Sequence, residues 1–199
     1  MTIADLFFLA SFLLVMVLTL TSGICAVRGN SARARRLVKF LGLFLVLYAV
    51  VLVAVALAMP RRIYTAGQRR CFDDWCVAAI DAVPADDGCQ SAPDSRSWVA
   101  SIDVSSVARR VRQRALDARA DLEDTQGRRY APCADPLERR SLADELGPGE
   151  QFRVRLPFRL PNGAKPAGVV VHHGDIPGFV IIGADQSFLH TPALQRLPD

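Results

Sequence analysis

Residues 6–27, LFFLASFLLVMVLTLTSGICAV, and residues 40–59, FLGLFLVLYAVVLVAVALAM, contain no charged side chain. About 20 consecutive apolar residues let an α-helix cross the hydrocarbon core of a bilayer, so both stretches are long enough to span it. A cleaved signal peptide has a basic segment before a shorter apolar run, whereas Asp5 is the one charged residue before the first stretch. The sequence therefore predicts a hairpin of two retained transmembrane helices within residues 1–60.

The segment between the two stretches, residues 28–39, is basic and contains no acidic residue. Short basic loops remain in the cytoplasm, so we expect this loop on the cytoplasmic side of a bacterial cytoplasmic (inner) membrane. Both termini and residues 61–199 are then expected on the periplasmic or extracellular side. The residues that set this topology are Arg28, Arg33, Arg35, Arg36 and Lys39. Four arginines after the second stretch favour the opposite orientation: Arg61, Arg62, Arg69 and Arg70.

The cysteines favour the first orientation. Cys25 lies in the first apolar stretch, and the other four form an even set within residues 61–199, as expected in an oxidising compartment. Their spacing lacks the paired short knuckles of a structural zinc site, so disulfides are the preferred interpretation. The four residues are Cys71, Cys76, Cys89 and Cys133.

Four cysteines allow three pairings. Cys71 and Cys76 are too far apart to bond in one extended strand, but a turn at residues 72–75 brings them together. Our hypothesis is that Cys71 pairs with Cys76 and that Cys89 pairs with Cys133 across a long loop.

The net charge of +4 resides in the N-terminal part of the chain. Residues 1–59 hold five of the 24 basic residues and one of the 20 acidic residues, which leaves 19 of each in the remainder. The predicted outer domain is therefore neutral. Nucleic-acid binding is not expected, because proteins that bind phosphate backbones carry a basic surface.

Alternation with a period of two is clearest at residues 152–160, where apolar residues alternate with arginines and Pro157. This pattern predicts a strand buried on one face, and the proline predicts an edge position or a bulge. Residues 98–105 alternate less clearly and predict a second strand. Residues 168–171 and 179–182 are short β-branched runs separated by turn residues, and they predict a hairpin with a long loop.

Two segments have helical spacing. Residues 107–123 fit both a strand and a helix, and composition alone favours the helix. Residues 137–146 carry leucines at near-helical spacing and end at Gly147-Pro148-Gly149, which is a helix stop signal. The many short strands with glycine and proline turns nevertheless indicate a β-sandwich.

Three segments resemble bacterial domains of the DUF4352 type: GQRRCFDDWCV at 67–77, ARRV at 108–111 through GRRY at 127–130, and IIGADQSFLH at 181–190. The resemblance covers roughly residues 65–197. It implies an immunoglobulin-like fold outside the membrane, with a strand pair within 117–130 that turns at Thr125-Gln126-Gly127. It also implies that residues 137–149 are an insertion between strands. The expected fold class is a two-helix transmembrane hairpin plus an all-β immunoglobulin-like sandwich domain over 61–199.

The candidate sites for chemistry are sparse. His172, His173 and His190, with Asp175 or Asp185, could form a metal site, but adjacent residues of a strand point to opposite faces, so surface hydrogen bonding is preferred. The paired acids Asp73-Asp74 and Asp86-Asp87 could bind calcium, but such pairs are more often solvated turns. A basic run is expected to be a solvated face: Arg109, Arg110, Arg112 and Arg114.

No glycine-rich phosphate loop, nucleophile elbow or zinc-protease motif is found in the sequence, so no catalytic residue, metal or cofactor is predicted. We therefore expect a non-catalytic structural or interaction protein, an accessory subunit of a larger membrane complex such as a respiratory or photosynthetic assembly. Its expected partners are membrane lipids and other integral membrane proteins, with Ala54 and Ala58 allowing close helix contact. The alternative is a tethered ligand-binding or sensing module. An enzyme would require convergence of groups such as His190, Asp185 and a hydroxyl.

Overall fold

The computed structural model describes residues 3–85, 89, 93–133, 137, 140–174, 178–185 and 187–198. Two long helices come first: α1 spans Ile3–Val27 and α2 spans Ser31–Ala58. The connection is tight, because Gly29 adopts a φ of 78° and the Asn30 side chain caps α2 by accepting from Arg33 N at 3.2 Å. The helices are antiparallel, since Ser22 Oγ donates to Ala34 O at one end and the Phe7 ring stacks on Tyr48 farther along.

The second helix begins earlier than expected. The basic segment 28–39 was predicted as a loop, but Arg33, Arg35, Arg36 and Lys39 lie in the first turns of α2, and only Arg28 lies in the connection. Alanine, arginine and lysine are good helix formers, so the Asn30 cap extends the helix through the basic residues. The charges remain clustered at the same end of the helix pair.

Both helices are long and apolar enough to cross a membrane. Most of their large apolar side chains are exposed, among them Phe7, Phe12, Leu47 and Leu57. The described residues of the two helices that are buried are mainly small: Ser11, Ser22, Ala34, Leu52 and Ala56. The helix pair therefore cannot cover its own apolar surface.

Nine strands follow in chain order. They are β1 Ile63–Tyr64, β2 Arg70–Phe72, β3 Trp75–Pro84, β4 Ser95–Ser106, β5 Arg119–Asp124, β6 Arg129–Tyr130, β7 Gln151–Pro161, β8 Pro166–His172 and β9 Leu194–Arg196. One sheet has the order β1-β9-β8-β5-β6 and the other has the order β2-β3-β4-β7. Neighbouring strands are antiparallel except β1 and β9, which are parallel.

The core lies between the two sheets. Ile102 of β4 and Val154 of β7 are opposite each other in one sheet, and both pack in a cluster with Leu122 and Val169 of the other sheet. These four side chains are fully buried. The predicted class, two apolar helices followed by a β-sandwich, is confirmed.

Gln195 of β9 is fully buried and links the two sheets through its amide. Ala79 N donates to Gln195 Oε1 at 2.7 Å, and Gln195 Nε2 donates to Val77 O at 3.1 Å. β8 and β9 approach closely at Gly168, where an added Cβ would lie 2.5 Å from Gln195 O. A side chain at position 168 would push β9 away and disturb the link.

The predicted strand at 152–160 lies within β7, and the predicted strand at 98–105 lies within β4. β7 is an edge strand, as Pro157 indicated. The chain covers this edge, because Cys133 N donates to Pro157 O at 2.9 Å and Leu137 N donates to Arg155 O at 3.0 Å.

The helix that composition favours at 107–123 is wrong, whereas the strand alternative holds for residues 119–123. Residues 107–118 form turns and extended chain, and β5 begins at Arg119. β5 and β6 form the strand pair that the resemblance implied, with Gly127 in the turn at a φ of 78°. The helical spacing arises because Ala115 and Leu122 both enter the sandwich core from separate pieces of chain.

The helix at 137–146 is also wrong for the residues that the structure describes. Leu146 exchanges two backbone hydrogen bonds of 2.8 Å with Gln113. Leu142 and Leu146 are buried in the sandwich core. The leucine spacing thus reflects packing of an irregular segment between β6 and β7.

The hairpin of 168–171 with 179–182 is half right. The first run lies in β8, but β8 pairs with β5 and β9, and residues 179–182 form turns. The chain divides into two compact units: Met1–Pro60 with Ile176–Thr191, and Arg61–Asp175 with Pro192–Asp199. The 179–182 run therefore belongs to the unit that contains α1 and α2, and not to the predicted 61–199 domain.

Candidate functional site

The four cysteines of the β unit form the two expected disulfides, Cys71–Cys76 and Cys89–Cys133. Cys71 and Cys76 face each other across β2 and β3, and the chain turns between these strands at Asp73 with a φ of 55°. Cys25 in α1 is a free thiol. The pairing leaves these four sulfurs unable to ligate zinc, because a metal requires the thiolate.

A cleft of about 1140 Å³ opens at one end of the sandwich. Its wall is formed where β3, β5 and β7 end and where β4 and β8 begin. Apolar side chains and charged side chains of both signs share the surface. The lining includes Asp81, Arg96, Trp98, Glu123, Asp124, Lys165, Leu194 and Arg196.

Glu123 is buried at the end of β5 and is held by two arginines. Arg61 donates from Nη1 to Oε1 at 2.5 Å and from Nη2 to Oε2 at 2.7 Å, and Arg129 Nε donates to Oε2 at 3.1 Å. Burial raises the pKa of the Glu123 carboxyl, but the hydrogen bonds and charges of the two arginines outweigh burial, so the pKa lies below its usual value. The carboxylate is therefore charged at neutral pH and fully engaged.

Asp124 closes the β5–β6 turn. Its Oδ1 accepts from the backbone N–H groups of Gln126 and Arg128, and its Oδ2 accepts from Arg128 Nε at 2.8 Å and from the Tyr130 hydroxyl at 3.0 Å. Burial raises the pKa of Asp124, but these hydrogen bonds lower the pKa by more than burial raises it. The pKa therefore lies below its usual value. Such a saturated carboxylate is a structural acceptor and a poor general base.

The side chains that remain available to a ligand in the cleft are Trp98 and three cations: Arg96, Lys165 and Arg196. The guanidinium carbon of Arg96 lies 5.7 Å from the centre of the Trp98 ring. Trp98 Nε1 is buried and has no hydrogen-bond partner within the described chain, and the same holds for Asp81 Oδ1. Among the residues that the structure describes, neither Lys165 nor Arg196 forms an ion pair, so both remain available to a ligand in the cleft.

The three histidines do not converge. His172 Nε2 lies 3.5 Å from Asp121 Oδ2, and His173 Nδ1 lies 2.5 Å from Asp117 Oδ1. His190 belongs to the other unit, where its Nδ1 lies 3.2 Å from Ala56 O. The described residues contain no group of three or more metal-ligating side chains, and Asp175 lies outside them.

Asp117 shares its carboxylate between a histidine and the backbone. His173 contacts Oδ1, and Gly174 N donates to Oδ2 at 2.7 Å. Burial raises the pKa of Asp117, but these hydrogen bonds lower it more, so it lies below its usual value. The His173 ring also packs edge-on against Phe72 and Trp75, at 5.6 and 5.1 Å between centres.

The remaining candidates are distributed along the surface. Asp73 and Asp74 form the β2–β3 turn, and Asp86 and Asp87 lie outside the described residues. The basic run at 109–114 is exposed. In it, Arg112 pairs with Glu145 at 2.6 Å and Arg114 donates to Ala143 O at 3.2 Å.

No protein-family model and no curated protein sequence matches the chain. Solved structures with a similar fold include MPT63, a secreted protein of Mycobacterium tuberculosis, with 14% identity and a TM-score of 0.43 over 59% of this chain and 93% of that one. A conserved hypothetical protein of Bacillus anthracis has 17% identity and a TM-score of 0.41 over 54% and 89%. An uncharacterized β-sandwich protein of Clostridium difficile has 8% identity and a TM-score of 0.40 over 58% and 89%.

Sequence reasoning missed the Glu123 network and the cleft. Arg61 and Glu123 are 62 residues apart, so no local pattern connects them. From the sequence, Arg61 contributes only to the membrane topology. The available signal was an acidic pair, Glu123-Asp124, at the end of a segment with strand periodicity, followed by a glycine turn and two arginines.

Proposed function

We propose that this chain is a non-catalytic interaction protein anchored in a bacterial cytoplasmic membrane. In this proposal α1 and α2 cross the bilayer and the basic residues 28–39 lie on the cytoplasmic side. Both termini and the β-sandwich lie on the periplasmic or extracellular side. Kinship with DUF4352-type domains is part of the same proposal.

The exposed apolar surface of the helix pair is the observation that carries the proposal. Leu47 and Leu57 on α2, like Phe7 and Phe12 on α1, are more than half exposed. The transfer of each large apolar side chain out of water is favourable by a free energy of about 1.5 to 3 kcal/mol. A bilayer gives every one of these side chains an apolar surrounding at once.

The disulfides support the outer location of the sandwich. Both pairs lie in the unit that contains the strands, and disulfides persist in oxidising compartments outside the cytoplasm. The basic end of the helix pair is then expected on the opposite, cytoplasmic side. Two independent features thus support one orientation.

The proposed partner is another integral membrane protein. Ala54 and Ala58 are exposed and lie one turn apart on α2, so they leave space for close approach of a partner helix. Two acidic groups at the cleft are fully engaged, Glu123 by arginines and Asp124 by Arg128, Tyr130 and backbone N–H groups, so neither carboxylate is available as a general base. An accessory role in a larger complex agrees with both features.

Topology tests the anchor. Alkaline phosphatase fused after residue 199 is expected to be active, and green fluorescent protein fused after residue 30 is expected to fluoresce. The intact mass of the purified chain is expected to include α1, which a cleaved signal peptide would remove. The reverse pattern of reporter activity would refute the proposed orientation.

Photo-crosslinking tests the partner. A benzophenone amino acid at Ala54 is expected to give a discrete adduct with an integral membrane protein in native membranes. The same probe at Val46, which is also exposed on α2 but lies about 80° around the helix from Ala54, controls for random collisions in the bilayer. Adducts of equal pattern at both positions, together with a monomer in mild detergent, would count against an accessory subunit.

A second candidate function is a tethered ligand-binding module, which the cleft favours. Arg96, Lys165 and Arg196 supply positive charge beside Trp98, so the occupant would be a small anion with an apolar part. Native mass spectrometry of the full chain is expected to detect a bound small molecule in wild type that is lost in K165E/R196E. If the same bound mass, or no bound mass, is found on both proteins, this function is excluded.

A further inference from the structure

Residues 178–185 and 187–191, here called the 178–191 loop, belong to the same compact unit as α1 and α2. The loop contacts α2 at two levels. The Tyr48 hydroxyl donates to Val180 O at 2.7 Å, and His190 Nδ1 lies 3.2 Å from Ala56 O. Ala56 is in the last turn of α2, where carbonyl groups lack a partner within the helix, so His190 acts as a cap.

These two contacts set the depth of the loop along the helix. Tyr48 and Ala56 are eight positions apart, and α-helices rise 1.5 Å per residue, so the contacted levels are about 12 Å apart. Both levels lie within the uncharged stretch 40–59. The loop therefore extends alongside the apolar part of α2 and not merely at its end.

The polarity of the loop is the reverse of that found in a loop surrounded by water. Phe179, Val180, Phe188 and Leu189 are exposed, and the two phenyl rings pack at 5.0 Å between centres. Two polar side chains, Ser187 and His190, are buried instead, and Asp185, the one charged side chain among the described residues of the loop, is partly buried. A soluble loop gains nothing from this arrangement, because exposing apolar groups to water is unfavourable.

The backbone of the loop satisfies much of its own hydrogen bonding. Phe188 N donates to Phe179 O at 2.9 Å, which ties the two ends of the loop together. Successive turns add bonds from Ile181 N to Gly178 O and from His190 N to Ser187 O. Val180 O is satisfied by Tyr48. Such internal pairing is required of irregular chain in a medium that offers no hydrogen bonds.

We propose that the 178–191 loop inserts into the bilayer and that lipid acyl chains cover its exposed side chains. This inference rests on the proposed function, in which α1 and α2 span the membrane. The lipid-facing surface of the helices then continues over Phe179, Val180, Phe188 and Leu189. The chain thus returns to the membrane between β8 and β9 as a third anchoring element.

Depth-dependent quenching tests the insertion on the full chain. Each variant carries Cys25→Ala, which removes the free thiol, and one new cysteine labelled with the fluorophore NBD. Leu189→Cys reports on the loop, Leu47→Cys on the exposed face of α2 and Leu116→Cys on an exposed site of the β unit. The proteins are placed in phosphatidylcholine–phosphatidylglycerol vesicles with nitroxide-labelled lipid, or with iodide in the water.

We expect the label at position 189 to lose as much fluorescence to nitroxide lipid as the label at 47, and severalfold more than the label at 116. Val180→Cys provides a second variant that does not depend on the positive φ of Leu189. Because Val180 is bonded at the Tyr48 level, its label is expected to respond to a deeper nitroxide than the label at 189.

The outcomes separate the two proposals. If the label at 47 is quenched by lipid while those at 180 and 189 respond to iodide, insertion of the loop is refuted and the membrane anchor stands. If the label at 47 itself responds to iodide, the anchor fails and the insertion fails with it. Protection of 180 and 189 from both quenchers shows cover by protein, which also overturns the proposal.

Discussion

Leucine is used in opposite ways in the two units of this molecule. Leu47 and Leu57 of α2 are more than half exposed, whereas Leu122 and Leu160 of the sandwich are fully buried. Under the proposed function lipid surrounds the helices and water surrounds the sandwich, so the same side chain is stable in both places. The contrast shows that exposure has no fixed meaning until the solvent is known.

The two units also differ in the kind of side chain that they bury besides the apolar ones. The sandwich buries large polar side chains and satisfies them, as with Gln195 between the sheets and Glu123 beside its arginines. The helix pair buries small residues such as Ser22 and Ala34, which allow the two backbones to approach. One unit is held together by a wide apolar core, and the other by close contact of two narrow surfaces.

A pair of phenylalanines tests the contrast most directly. Phe158→Ala removes a fully buried ring from the sandwich core and is expected to lower the free energy of unfolding by about 3 to 5 kcal/mol. Phe12→Ala removes an exposed ring from α1 and should leave the sandwich as stable as in wild type. Urea unfolding in mild detergent, followed by tryptophan fluorescence of Trp75 and Trp98, measures both. Equal losses would show that the units do not differ in this way.

The disulfide between Cys89 and Cys133 is expected to have the next largest effect. It joins residues 44 positions apart, so its removal in C89A/C133A frees a long loop in the unfolded chain and is expected to cost about 3 to 4 kcal/mol. Cys25→Ala is the control, because that thiol is unpaired and lies in α1. Urea unfolding without reductant should separate the two variants. A dithiothreitol-treated wild type that unfolds at the same urea concentration as the oxidised protein would contradict this expectation.

Much of this contrast is visible in the sequence, because it depends on local patterns. The uncharged stretches and the alternation at 152–160 reveal which side of each element is apolar. The helical spacing of residues 107–123 and 137–146 did not predict helices correctly. It arises because Ala115, Leu122 and Leu146 pack into the same core from segments that are not helical. The apolar run at 179–182 was predicted as a strand, but it forms turns in the unit that contains α1 and α2.

The candidate cleft could not be predicted for a related reason. Glu123 meets Arg61 across 62 residues, and Trp98 reaches the cleft through the pairing of β4 with β7. Such contacts depend on which strands become neighbours, and one sequence contains no local signal for that. The disulfide hypothesis succeeded because a turn between Cys71 and Cys76 is a local property.

Gln195 sharpens the comparison between satisfied and unsatisfied polar groups. Gln195→Leu keeps the volume but leaves Ala79 N without the Gln195 acceptor in the core and removes the bond from Gln195 Nε2 to Val77 O, so a loss of about 2 to 3 kcal/mol is expected. Gln151→Leu, at the exposed start of β7, should change stability by less than about 0.5 kcal/mol. Urea unfolding at neutral pH distinguishes them. A stable Q195L protein would mean that the sheets are held by apolar contact alone.

The smallest expected effect concerns burial of charge. Glu123→Gln removes a buried carboxylate held by two arginines, whereas Asp103→Asn removes an exposed one held by Arg153 with similar two-bond geometry. We expect a loss of about 1 to 2 kcal/mol for the first at neutral pH. For the second we expect less than about 1 kcal/mol, because exposed ion pairs are weak.

The pH dependence gives this last test its sign. The pKa of Glu123 is lower in the folded protein than its usual value, so its stabilisation is complete above the ordinary carboxyl range. That stabilisation disappears as the pH falls through the lowered pKa. The wild-type and E123Q unfolding curves should therefore differ at pH 7 and approach each other below about pH 4. A gap of constant size across this range would mean that the glutamate stabilises the β unit by packing, without its charge.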